Sequence, residues 1–388
     1  MQGKHLVALV PLESYDQQAT DDAVRTAVAL LGGIERFVRP EERILLKPNL
    51  LSRAVPQRAI TTHPAVFRAV ARLMREAGYE HLSYGDSPGN PTTSSAKAAE
   101  ESGITAAAAE FGIPMADFEH GTTVQCPNGR VSRSFSICNG VLEADALINL
   151  PKMKTHALER ITGAVKNLYG CIWSINKAAG HAKYPTSESF ADMLCDLHAA
   201  TKARLHIMDG VTAMEGNGPA SGTPTQMNVI LASGDPVALD SVFASLVMLN
   251  PADVPTCVSG ETAGIGVMQP EQIIVATPEG EMSVEEAAKR WGNPDFDVFR
   301  GKLKKSIIAK FAPTLPMLQE RPRVDRRLCI GCGVCEESCP VETKAVHAGK
   351  GRKAKYDYRK CIRCYCCQEM CPAKAITVHR PLLGRILK

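Results

Sequence analysis

The sequence predicts an α/β domain, with a mostly parallel sheet flanked by helices, followed by a small cysteine-rich domain. Three observations predict it. Apolar runs bounded by turn residues recur along most of the chain, amphipathic stretches lie between them, and nine of the fourteen cysteines fall between positions 329 and 371. At 388 residues the chain exceeds one ordinary core and suits one large domain plus a small one. Its 45% apolar and 22% charged content are those of a folded protein, so disorder is not expected.

The runs HLVALVP (from 5), RILLKPN (from 43), HLSYGDS (from 81), DALINLPK (from 145), RLHIMDG (from 204), NVILASGDP (from 228) and IIVATPEG (from 273) have the length and apolar density of parallel strands. DDAVRTAVALLGG, PAVFRAVARLMREAG and DPVALDSVFASLVML read as amphipathic helices. No uncharged apolar stretch reaches the roughly 18 residues that a membrane span needs. The opening MQGKHLVALVPLESYD has no small-residue cleavage site and is expected to form a first buried strand of a cytoplasmic protein. The expected organisation is an α/β domain at 1–300, a basic linker or connecting helix at 301–321, and the cysteine-rich domain at 322–388.

The cysteine spacing names the chemistry. Cys329, Cys332, Cys335 and Cys339 precede Pro340, and Cys361, Cys364, Cys367 and Cys371 precede Pro372, each as C-x2-C-x2-C-x3-C-P. This is the bacterial-type 4Fe-4S run, written twice. Two-residue gaps let three thiolates converge on one cubane from a single loop, while the fourth points to the neighbouring cube. Two 4Fe-4S clusters are therefore expected, cluster I on Cys329, Cys332, Cys335 and Cys371, and cluster II on Cys339, Cys361, Cys364 and Cys367. Zinc also uses CxxC pairs, but two complete four-cysteine runs closed by proline do not suit tetrahedral zinc. Cys366 is left over as a spare thiol beside a cluster, and Tyr365 reads as packing. A disulfide framework would need a short secreted chain.

In the large domain, apolar runs end in polar or Gly/Pro turns: Lys47-Pro48-Asn49, Gly85-Asp86-Ser87, Pro151-Lys152, Asp209-Gly210 and Gly234-Asp235-Pro236. Open α/β sheets bind ligands at the carboxyl ends of their strands. PKMKTHALERITGAVKNLYG (151–170) spaces Lys152, Lys154 and His156 at alternate positions, on one side if extended, followed by Lys166 and Asn167. Convergent lysines and a histidine within apolar flanks suit an anionic small molecule, a carboxylate or phosphate, and a desolvated lysine can serve as acid, base or amine. Lys154, His156 and Lys166 are the candidate catalytic residues. Lys47, Asn49, Asp86, Lys152, Asn167 and Asp209 are candidate substrate contacts, joined by Glu215 and Asn217 of the glycine-rich stretch GVTAMEGNGPASG (210–222), read as a loop. That stretch matches neither nucleotide-binding glycine motif. His181 and Trp173 remain unassigned.

KPNLL, GDSPG, INLPKMKTHALERITGAVKNLYG, MDGVTAMEGNGP and SGDPVALD together resemble the domain of unknown function family 362, and the paired cysteine runs resemble the two-cluster ferredoxin module often fused to it. The likeness spans roughly 40–250 and 325–375. It implies an α/β domain with a ferredoxin-like, two-cluster tail. It supports Lys47, Asn49, Asp86, Lys154, His156, Lys166, Asn167 and Asp209 as motif positions without giving them roles. VETKAV after Pro340 departs from the usual pattern, whereas CPAKAI from 371 fits it.

Charge is divided between the halves. Residues 321–388 carry 16 Lys and Arg against 6 Asp and Glu, a net +10, and residues 1–320 carry 29 against 35, a net −6. Part of the basic excess offsets thiolate-ligated clusters, and the remainder suits an acidic redox partner such as a ferredoxin or flavodoxin. GKGRKAKYDYRK is too short a basic run, placed where a loop joins the cysteine motifs, to make nucleic acid the expected partner. Three functions fit: an oxidoreductase passing low-potential electrons from the clusters to a substrate or second cofactor in the α/β domain, a non-redox enzyme on an anionic substrate with structural or sensory clusters, and an electron-transfer adaptor without its own site.

Overall fold

A computed structural model describes residues 5–89, 93–173, 177–301 and 320–379. Strand alternation decides the layers. In β1 (His5–Pro11), Val7 and Leu9 pack on one side of the sheet and Ala8 and Val10 on the other. The next strand repeats the split: in β2 (Ile44–Pro48), Leu45 faces one core while Ile44 and Leu46 face the second. A strand buried on both faces needs helices on both sides. Helices Gln17–Leu30 and Pro64–Glu76 cover one face, and Ser187–Thr201 and Pro236–Leu246 the other. Their starts follow capping chemistry. Asp16 accepts from Ala19 N, and Asp235 accepts from Val237 and Ala238 N ahead of Pro236.

The remaining strands are β3 (Leu82–Tyr84), β4 (Gly121–Gln125), β5 (Ser134–Cys138), β6 (Ala146–Leu150), β7 (Lys152–His156), β8 (Arg160–Thr162), β9 (Ala203–Glu215), β10 (Thr223–Ser233), β11 (Ile273–Thr277) and β12 (Gly280–Met282). The ten-stranded sheet runs β12-β11-β1-β10-β9-β6-β2-β3, with β7 and β8 attached beside β9, while β4 and β5 form a separate hairpin. Seven of the ten strands share one direction, and β8, β10 and β12 oppose it. The sheet is thus mostly parallel, as expected.

Two strand expectations need correction. NVILAS is antiparallel, because β9 and β10 form a hairpin around the 216–222 loop. Gly234-Asp235-Pro236 therefore lies at the opposite edge from the other strand exits, where Asp235 meets His5 at 2.6 Å. Nor does the strand at 204 end at Asp209-Gly210. It continues to Glu215, so the first part of GVTAMEGNGPASG is strand rather than loop.

Pro151 explains why β6 and β7 are separate. It has no N–H to give the ladder, so the chain steps over and β7 pairs parallel with the far half of the same long β9. In the C-terminal module β13 (Arg321–Val324), β14 (Val346–Gly349), β15 (Arg352–Tyr356) and β16 (Ile376–His379) pair as β13 with β16 and β14 with β15. Short helices Val334–Glu337 and Cys366–Glu369 lie between them around a small core of their own. Of the expected linker, residues 302–319 lie outside the described residues.

Candidate functional site

β7 is extended, so Lys152, Lys154 and His156 alternate onto one side as the spacing required, and all three are buried. They do three different things. The Lys152 ammonium donates to Asp209 Oδ2 at 2.7 Å and to Tyr15 Oη at 2.8 Å, and Tyr15 donates to Asp209 Oδ1. Two opposite charges and a phenol satisfy one another there, so Lys152 and Asp209 form a buried internal pair, and neither lines the cavity that Lys154 lines. Lys154 Nζ donates to Asn49 Oδ1 at 2.8 Å and to the Ile60 carbonyl at 2.7 Å. Burial, with Lys166 and Lys152 adding, holds its pKa well below that of an ordinary lysine. His156 Nδ1 accepts from Leu158 and Glu159 N, which puts the ring proton on Nε2. That atom lies 2.8 Å from Glu369 Oε1 of the module, and burial lowers the His156 pKa to about 4, so a neutral ring meets the carboxylate there.

Around Lys154 the strand exits converge. Asn49 Nδ2 donates to Asn167 Oδ1, and Asn167 Nδ2 to Asn149 Oδ1. Lys47 Nζ lies 2.8 Å from Asp86 Oδ1, and Asp86 Oδ2 accepts from Leu50 N at 2.6 Å. Gly170 allows this pair to sit where it does, because a Cβ there would strike both Asp86 and Lys47. Asp240 accepts from Ala164 and Val165 N and so fixes the short helix Ala164–Asn167 that carries Lys166 and Asn167; burial raises the Asp240 pKa to about 7.

Asn49, Asp86, Lys154, Lys166 and Asn167 line one cavity of about 260 Å³. Glu337, Ser338, Cys366, Glu369 and Met370 of the cysteine-rich module close it from the other side. Lys47 reaches it only through Asp86, and His156 only through Glu369. Glu215 and Asn217 do not line it. Glu215 accepts from Asp297 N, and Asn217 bonds to Ile376 O and to the buried Gln368, so the loop after β9 docks the module while its Pro219 lines the cavity.

The spacing of PKMKTHALERITGAVKNLYG could not locate Lys177 or His181, and it contains Glu159 without marking it; Ser87, at a strand exit, carried no assigned role. Lys177 Nζ donates to the Ser87 and Pro88 carbonyls in the cavity wall, and burial lowers its pKa to about 8. His181 stacks on Phe190, and its buried Nδ1 has no partner among the described residues; nor do the cavity-lining hydroxyls of Ser87 and Ser338. Orphaned buried polar atoms around one cavity mark a place for a polar ligand. Glu159 is fully buried, neither carboxyl oxygen is partnered among the described residues, and burial raises its pKa well above normal.

In the module the eight cysteines form two rings. One small cavity is lined by Cys329, Cys332, Cys335 and Cys371, the other by Cys339, Cys361, Cys364 and Cys367. Among the described residues no three His, Cys, Asp or Glu side chains converge on a single-ion site. Backbone N–H groups point at the sulfurs: Ala345 at Cys339, Ala354 at Cys329 and Ala375 at Cys371, with the Tyr356 hydroxyl on Cys367 at 3.2 Å. N–H···S bonds stabilise thiolate charge and tune a cluster, so the donor set fits 4Fe-4S cubanes.

Comparison with known proteins agrees. Residues 44–245 match the family described as domain of unknown function (DUF362), just over half of the chain. The chain belongs to the DUF362 family. Residues 321–372 match a 4Fe-4S dicluster domain, which makes the protein an iron-sulfur protein. The DUF362 chain is 36% identical over 260 residues to a thylakoid-associated protein of Synechocystis sp., covering 67% of this chain and 79% of that one. Among solved structures, the lactate racemase apoprotein from Thermoanaerobacterium thermosaccharolyticum matches with a TM-score of 0.37 and 13% identity, over 61% of this chain and 55% of that one. A Thermotoga maritima protein matches with a TM-score of 0.32 and 12% identity, over 52% of each. Both are too distant to bear on function. No helix among the described residues is long and apolar enough to cross a membrane.

Proposed function

We propose that this DUF362 protein is an oxidoreductase in which two 4Fe-4S clusters pass low-potential electrons to a small anionic substrate held between the two domains. One observation carries the reading: the cavity is walled by the lysines of the α/β domain on one side and by Cys366, Glu369 and Met370 on the other. Cys366 lies between Cys364 and Cys367, and Met370 precedes Cys371, so a ligand there sits against the cysteine loops. The bound clusters supply single electrons.

The chain's own residues supply the rest. Lys166 and Lys177 offer positive charge to a carboxylate or phosphate, and Ser87, Ser338 and His181 Nδ1 offer unclaimed hydrogen-bonding atoms. Lys154, whose ammonium is disfavoured by burial, gives up a proton from Nζ more readily than an ordinary lysine. The same lysines would serve a non-redox enzyme, and the cavity argues against a pure adaptor. A cytoplasmic location belongs to the same reading, supported by cysteines that form no disulfide among the described residues.

The test is to reduce the iron-loaded protein without oxygen and mix it with small carboxylates and phosphate esters that carry a reducible carbonyl or double bond. Reoxidation of the visible iron-sulfur absorbance by one such class, lost in Lys154→Met, supports the reading. Binding of anions with no reoxidation by any of them moves the assignment to the non-redox enzyme.

A further inference from the structure

Of the eight ring cysteines only Cys332 is exposed. It sits in a loop whose two large apolar side chains face water: Leu328 is 53% and Ile330 65% exposed, two of five exposed large hydrophobics among the described residues. The β14–β15 turn lies directly against this loop. Gly331 packs against Gly351, Ala354 N donates to Cys329 Sγ, and Lys353 Nζ donates to the Arg326 carbonyl. Exposed Arg326, Arg327, Lys350, Arg352 and Lys353 therefore rim the apolar pair, with Asp325 in the same turn and Glu336 beside Arg352 as acidic neighbours. Cys364 and Cys367 of the second ring, by contrast, are buried.

We propose that this face, Leu328 and Ile330 within a basic rim over the Cys329–Cys332 ring, is where an acidic protein one-electron carrier docks to deliver electrons. It rests on the oxidoreductase reading and names the partner's chemistry. Three features favour such a carrier. Cys332 brings the first ring to the surface, where a partner can approach it. The apolar pair is small enough for the brief, low-area contacts of electron-transfer encounters. The rim opposes an acidic surface, and complementary charge raises encounter rates more than affinity. The module's net charge of +10 has the same sign as the rim. GKGRKAKYDYRK thereby gains a role as the wall of an electron-uptake face. One electron leaves the carrier, whose anionic flavin hydroquinone becomes the neutral semiquinone, and one iron-sulfur centre of the module takes it up; no proton is exchanged.

The experiment uses the iron-loaded full chain and reduced flavodoxin as the probe, followed anaerobically by stopped flow through the flavin semiquinone and the iron-sulfur absorbance. The wild type is expected to take up electrons in a second-order step that slows roughly tenfold between low and high salt, as surface charge attraction is screened. The quadruple variant Arg326→Glu, Arg327→Glu, Lys350→Glu, Arg352→Glu is expected to be slowed at least tenfold, with its salt dependence flattened or reversed. Leu328→Ser with Ile330→Ser is expected to weaken binding of oxidised flavodoxin, measured by calorimetry, without changing the salt slope. Iron content and photoreduction by a neutral deazaflavin check that each variant is intact. Flavodoxin rates within twofold of wild type in both variants overturn the proposal. So does tight binding of single-stranded nucleic acid to the rim that leaves the flavodoxin rate untouched by the same substitutions. A wild type that deazaflavin cannot reduce defeats the oxidoreductase reading itself, a different result from reduction that ignores the rim.

Discussion

His156 Nε2 lies 2.8 Å from Glu369 Oε1 across the boundary between the α/β domain and the iron-sulfur module, with both side chains buried. Burial pushes the Glu369 carboxyl up, but its contact with His156, the Lys166 ammonium and, at acid pH, the protonated rings of His156 and His181 outweigh it and hold its pKa at about 2, so it faces the cavity as a carboxylate. Burial lowers the His156 pKa to about 4, so the ring beside the carboxylate is neutral, and His156→Ala leaves that charge buried without its nearest polar neighbour. Leaving a buried polar group without its partner costs about 1–3 kcal/mol. The expected outcome is a lowered melting temperature and faster protease cleavage between the domains with iron content unchanged, and Glu369→Gln, which removes the charge, is expected to cost less.

Gly170→Ala tests the cavity floor. The new methyl would strike the Lys47–Asp86 pair, and overpacking of this kind costs about 1–3 kcal/mol. Chemical denaturation should show that loss, whereas Gly112→Ala, where a Cβ meets nothing within 4 Å, is expected to lose only what its positive φ imposes.

The second cysteine motif separates ligand from neighbour. Cys364→Ser is expected to lose one cluster, lowering iron from about eight to about four per chain. Cys366→Ser is expected to keep both, because Cys366 lines the cavity between the domains and neither cysteine ring.

Buried histidines set an acid limit. Burial lowers the pKa of His63 and His198 to about 4 and that of His181 to about 3, against 6.5 when unfolded. Between those values the unfolded chain binds the extra protons, so stability is fully present above about pH 6.5 and falls as pH drops toward 4. Denaturation midpoints followed by tryptophan fluorescence should decline between pH 7.5 and 5.5 with iron still bound; a flat profile would contradict the assignment of neutral buried rings.

How much of this was legible follows from the physics of each residue. The seven strands read from the sequence were readable because most of each is buried and so appears as an apolar run, whereas β4 and β12 are largely exposed and carry no such run. The ring partners were readable because a fixed loop geometry links spacing to cubane corners. The direction of β10 was not, since a strand with two buried faces looks alike either way round. Asp209 resembled a turn residue because the pairing that neutralises it comes from Lys152 and Tyr15, 57 and 194 positions away. Lys177 and His181 share the short helix Lys177–Lys183 and Glu369 comes from Cys366–Glu369 of the module, so no local period joins either element to β7. Glu215 and Asn217 stand outside the cavity wall because the glycine-rich segment both docks the module, through Asn217, and lines the cavity, through Pro219.

The central claim is that the clusters feed electrons at low potential into the cavity between the domains, and an anaerobic redox titration of the iron-loaded protein followed by low-temperature EPR tests it most directly. Two magnetically coupled clusters titrating on the order of −400 mV are predicted, with the coupling lost in Cys364→Ser. Clusters that stay oxidised under strong reductant would contradict the account and leave the iron a structural part.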